Sequence, residues 1–159
     1  IFPEGYKFHT CEILKKQITL SYGLNSWVEN TSSDPAEVWS DQSKYWKTTS
    51  VKGAGNIPML ADSTAIANWP DTASLPPQYE GESRTEPGPS GQMYDFCFSR
   101  HGGGITNVLF MDGSARTGGL RKLWTLKWNT TFDTTFTPNW ATESPEFMRK
   151  LGGNGDRDF

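Results

Sequence analysis

Between Arg100 and Arg116 the chain reads RHGGGITNVLFMDGSAR, and no other stretch limits its folding options as much. Three glycines in a row weaken any regular element, because each gives up more backbone freedom on folding than other residues do; here they predict a turn. The run that follows is apolar on both faces, with Ile105, Leu109 and Met111 set against Val108 and Phe110. It is expected to be a central strand covered on both sides. Asp112-Gly113 predicts a hairpin of type I′, which needs positive φ at both central residues, and SARTG returns as the next strand. Upstream, Tyr94, Phe96 and Phe98 alternate with Asp95, Cys97 and Ser99, the period of a strand with one aromatic face. The three strands make an antiparallel meander.

The same stretch raises a chemical question, because His101 and Asp112 could serve as base and acid. Side chains that share a proton must lie within about 3 Å. These two sit at opposite ends of one strand, about 30 Å apart if extended. Direct contact is not expected. His101 is left to bond to backbone and fix the glycine turn, or to pair with another acid. The only other histidine is His9, so one chain cannot build a multi-histidine metal site. An oxygen-only calcium site stays open at the loop acids Asp71, Glu80 and Glu82, although their spacing matches no EF-hand and solvated loop charges are the simpler reading. There is no GxSxG, P-loop or HExxH motif. No catalytic residue, cofactor or metal is expected.

The remaining chain reads as short elements between long loops. SYGLNSWV (21–28) is a short strand or turn. Asp34, Pro35 and Glu37 open a helix whose apolar face would hold Val38, Gln42 and Tyr45 with Trp39 and Trp46. Pro58 within the alternating run Ile57 to Asp62 implies an edge strand or a bulge. Residues 68–92 form a Pro/Gly/Glu-rich surface loop pinned by Trp69 and Tyr79. Leu120, Leu123, Trp124 and Trp128 recur at helical spacing. SPEFMRKLGG is a second short helix, capped by Ser144 and stopped at Gly152. Residues 153–159 are expected to fray.

A chain of 159 residues is sufficient for one domain, 1–159. Its net charge of −3 gives no electrostatic case for a nucleic-acid partner. Seven Trp and nine Phe imply a core of a few bulky rings. Cys11 and Cys97 lack CxxC spacing, which leaves either two buried thiols or one disulfide in an exported protein. Such a bridge would close a long loop, for about 4 kcal/mol. Asn30-Thr31-Ser32 and Asn129-Thr130-Thr131 fit the glycosylation pattern, which is too common to decide anything. The chain opens Ile1-Phe2-Pro3 with no signal peptide and no long apolar run, and is expected to behave as a soluble domain.

The opening stretch also resembles the signature of prepilin-like proteins with a processing-associated H-x9-DG domain, subunits of type IV pilus and type II secretion pseudopilus kind. SYGLNSWV, VKGAGNIPMLADS, WPDTASLPPQYEGE, FCFSRHGGG, GLRKLWTLKW and SPEFMRKL are similar to segments of that family in the same order. The likeness covers most of the chain from Cys11 onward. His101 matches the signature His, and Asp112 and Gly113 its Asp-Gly. Ten residues separate His101 from Asp112 here, with the extra one placed most easily in the glycine turn. The resemblance implies an α+β, pilin-like fold: an antiparallel meander with short helices and long loops, laid on an N-terminal apolar helix that these residues do not include and that would be supplied in cis or in trans. It also implies like subunits as partners, assembly from the inner membrane and an extracellular or cell-surface location.

Three functions follow from these readings. The leading one is a non-enzymatic filament subunit, with an apolar strip left for the absent helix and with Trp27, Trp39, Trp46, Trp69 and Trp140 as candidates for subunit interfaces. The alternative is an exported carbohydrate- or surface-binding module that uses loop aromatics such as Trp69. The third is a hydrolase using His101 with a loop acid.

Overall fold

The computed structural model describes residues 9–11, 16–18, 22–29, 41–80, 92–140 and 146–159, the first two segments as backbone only. Strands β1 (His9–Cys11) and β2 (Lys16–Ile18) form an antiparallel ribbon. The main sheet holds β3 (Tyr22–Asn25), β4 (Pro58–Asp62), β5 (Ala67–Asn68), β6 (Ile105–Phe110) and β7 (Ala115–Gly119), in the order β5-β3-β4-β6-β7. Only β3 and β5 run parallel. The fold is a small α+β arrangement around a mixed sheet, not a pure antiparallel meander. The expected first strand of that meander is missing: Met93–Phe96 is a turn of 3-10 helix, with all four side chains buried. Aromatic alternation suggests a strand only when one side faces water, and here neither side does.

Local chemistry explains the sheet's irregularities. Pro58 takes the first position of β4, where its missing N–H matters least, and the register with β6 shifts between Pro58 and Leu60. The expected bulge is therefore present, in a strand with neighbours on both sides. The β6–β7 hairpin differs from the expected type I′ turn. Phe110 N donates to Ser114 O at 2.8 Å, and Gly113 N to Phe110 O at 2.9 Å. This makes a three-residue loop with Gly113 in the left-handed position, φ +82°. The longer loop leaves Met111 N free to donate to Ile57 O at 2.8 Å, so β4 and the hairpin stay joined.

The core lies on the sheet face that carries Ala61, Val108 and Phe110, and it is filled by Phe96, Leu120, Leu123, Trp124, Trp128 and Phe132. Full burial of each large ring contributes on the order of 2–3 kcal/mol. Leu120–Thr125 is helical as expected, but as a 3-10 helix, after which Leu126 extends. The second helix, α1 (Glu146–Arg149), is one turn, and Gly152 follows at φ +63°; its proposed cap Ser144 lies outside the described residues. The helix expected from Asp34 falls largely outside them too. Its described end, Gln42–Lys44, is one 3-10 turn capped by Asp41, and Tyr45 is already extended.

Indole N–H groups tie the loops down. Trp27 Nε1 donates to Pro70 O at 2.7 Å and Trp124 Nε1 to Ser74 O at 2.8 Å. The described part of the 68–92 loop is thus anchored into the core. Trp69 shares in this through Tyr45 (3.1 Å). Tyr79, the other expected pin, is 63 % exposed. The C-terminal segment does not fray. Gly152–Asp156 is a 3-10 helix, Gly119 N donates to Arg157 O at 2.8 Å, and Arg121 pairs with Asp156 at 2.5 Å.

Candidate functional site

The triple glycine is required by backbone handedness. Gly102, Gly103 and Gly104 have φ of +75°, +65° and +78°, a conformation that costs other residues about 1–2 kcal/mol each. Ser99 stabilises the turn: its carbonyl accepts from Gly102 N at 3.1 Å and its hydroxyl from Gly104 N at 2.8 Å. Glu80 in turn accepts from Ser99 N at 2.9 Å.

The turn carries His101 back over the sheet face opposite the core. Strand register builds two rows on that face. One is apolar and crosses all five strands: Ala67, Leu24, Leu60, Leu109 and Ala115 are successive partners. At about 4.8 Å per strand it runs about 19 Å. These side chains are half-buried or exposed, and Leu60, Leu109 and Ala115, with Asn107 and Tyr22, 51 % exposed, line a shallow groove of about 400 Å³. The expected central strand is therefore fully covered on one face only.

Two residues along each strand lies a polar row. Tyr22 pairs with Asp62, and Asn107 with Thr117. Asp62 is fully buried. Its Oδ2 accepts from Asn107 N at 2.8 Å and from Thr106 Oγ1 at 3.4 Å, and lies 3.1 Å from His101 Nε2. Arg100 Nε stands 3.6 Å from Asp62 Oδ1. His101 Nε2 also lies 2.7 Å from Asn107 Nδ2, while Thr117 Oγ1 donates to Asn107 Oδ1 at 2.6 Å. His101 thus works through side chains, and its acid is Asp62 rather than a loop acid or Asp112.

Asp112 has a separate task. Its Oδ1 accepts from Ser114 N at 2.9 Å and Ser114 Oγ at 2.6 Å. Chiefly these bonds, the hydroxyl's first, hold its carboxyl below the ordinary value of 3.8, with a smaller contribution from the Arg116 charge. Arg116 itself lies 3.6 Å over the Phe110 ring and donates to the Gly55 carbonyl. A Cβ on Gly55 would come within 2.7 Å of Asp112 Oδ2, so the turn and the 54–56 segment pack tightly. The two ends of the 100–116 stretch are thus a glycine turn whose flanking Arg100 and His101 face Asp62 and a hairpin held by its own aspartate.

The other candidate residues are dispersed. Cys97 is a free, fully buried thiol; burial, then the Asp95 charge, pushes its pKa up. The Cys11 side chain lies outside the described residues, as do Trp39 and Glu82. Trp27 is buried and belongs to the core, not to a surface interface. Trp46, Trp69 and Trp140 are partly buried against that core. Asp71 pairs with Lys44. Among the described residues no three His, Cys, Asp or Glu side chains are placed to hold a metal, and no helix is long and apolar enough to cross a membrane. Asp62 and Asn107 went unnoticed in the sequence. The only hint was an acid closing an otherwise apolar strand, and such residues are usually solvated ends. No protein-family model, curated protein or solved structure matches the chain.

Proposed function

We propose that this domain is the globular part of a pilin- or pseudopilin-like filament subunit and acts by assembly, not catalysis. The observation that carries the reading is the apolar row Ala67–Leu24–Leu60–Leu109–Ala115 on the face opposite the core. A monomer gains nothing by presenting a continuous leucine strip to water, whereas an apolar helix laid on it would bury the strip. The ordered likeness of sequence segments to prepilin-like proteins supports the same reading and supplies the occupant, an N-terminal pilin-type helix in cis or in trans. The signature residues fit a structural role, since His101 and Asp112 each hold a turn.

The test uses the protein in its native cells. Filaments sheared from the surface are probed for this domain, with wild type compared to Leu60→Glu. Wild type is expected in the filament fraction. The variant, altered at a half-buried position, should keep its circular dichroism spectrum and be lost from that fraction. Absence of wild type from filaments, or unchanged incorporation of Leu60→Glu, would sink the reading.

A further inference from the structure

His101 Nε2 has one site for a proton and two neighbours with opposite demands. Asn107 Nδ2, at 2.7 Å, is a donor and needs a lone pair. Asp62 Oδ2, at 3.1 Å, is an acceptor and needs a proton. Neutral imidazole with its proton on Nδ1 satisfies Asn107 and turns a lone pair toward a carboxylate. Imidazolium satisfies Asp62 and turns its N–H toward the amide N–H of Asn107. Each state leaves one neighbour in conflict. The His101 side chain is 37 % exposed, so the proton has access from solvent.

We propose that protonation of His101 reverses a hydrogen-bond chain running from His101 through Asn107 to Thr117. In the neutral state Thr117 Oγ1 donates to Asn107 Oδ1, and Asn107 Nδ2 donates to His101 Nε2. When a proton from solvent binds Nε2, the new N–H points at Asp62 Oδ2. The Asn107 amide turns over, its oxygen now facing the imidazolium and its nitrogen facing Thr117. The threonine hydroxyl can accept as well as donate, so the far end of the chain stays satisfied. Asp62 is engaged from its other neighbours as well: the Asn107 backbone N–H and the Thr106 hydroxyl donate to its Oδ2, and Arg100 faces its Oδ1. Glu80, a further carboxylate near the turn among the described residues, is engaged by Ser99 N. Asn107 lines the groove beside the apolar row, so the chain is a pH-sensitive device that changes which amide atom the groove presents. It stands on this geometry, not on the filament reading.

Side-chain NMR of the intact domain tests it. The imidazole nitrogens of His101 and the side-chain amide of Asn107 are followed over the range in which histidines change charge, about pH 5 to 8. The Asn107 amide signals should shift with the same midpoint as the His101 ring, and the shift should vanish in His101→Gln. An Asn107 amide that stays still while His101 titrates, a His101 that does not titrate in this range, or an unchanged Asn107 shift in His101→Gln would each overturn the proposal. The wild-type titration alone is decisive if the variant fails to fold.

Discussion

The ring of Phe159 meets Phe110 edge-on at 5.8 Å and fills the space a side chain at Gly118 would need, with a Cβ there coming within 2.5 Å. The last residue is thus packed over a sheet strand. Phe159→Ala is expected to destabilise the domain by about 1–3 kcal/mol, below the range for a fully buried ring because Phe159 is half-buried. Urea unfolding checks this, and an unchanged midpoint would mean that the tail does not hold β7.

The glycine turn allows an internal control. A Cβ on Gly102 meets nothing within 4 Å, whereas one on Gly104 meets Leu151 at 2.9 Å. Gly102→Ala should cost only the left-handed backbone, about 1 kcal/mol. Gly104→Ala should cost about 2–4 kcal/mol, because overpacking is added. Equal melting temperatures for the two variants would contradict the packing at Leu151.

Acid should weaken the fold at its turns. Asp41, Asp112 and Asp133 each accept from the hydroxyl and amide of a Ser or Thr two residues on, and these bonds hold all three below 3.8. A lowered folded-state pKa contributes stability above the unfolded value, and that stability is lost as pH falls through the lower, folded values. The urea midpoint should therefore fall as pH drops below about 4. Asp112→Asn keeps the acceptor oxygen without the titration, so its midpoint should fall less steeply. A slope equal to that of wild type would remove Asp112 from this account.

Asn129 matches a glycosylation pattern but is closed to modification. It is fully buried, its Nδ2 donates to Pro70 O at 3.1 Å, and its Oδ1 accepts from Thr131 N at 3.0 Å. Expression in a glycosylating host should leave Asn129 bare by peptide mass spectrometry. Asn129→Ala is expected to cost about 1–3 kcal/mol, because it leaves Thr131 N without its acceptor.

What the sequence alone determined was carried by residues with only one affordable backbone state. The triple glycine had to be a turn and is one, Asp112-Gly113 had to close a hairpin and does, and Pro58 had to disturb its strand. Such constraints are local, since positive φ or a missing N–H acts wherever the chain goes. The apolar run of β6 was legible as a strand paired on both sides, although the middle strand of the five is β4 and β6 is fully covered on one face only. Tertiary structure decided everything that depends on which distant segments meet. Alternating rings at 94–98 became a 3-10 turn because burial on all sides erases the strand signal. A tail of Gly, Asn and Asp packed because Gly118 and Gly119 leave room for it beside β7. Above all, the partner of His101 came from the end of another strand. A carboxylate becomes a buried acceptor only when the fold removes its water and brings donors to it, and no spacing within the chain encodes that.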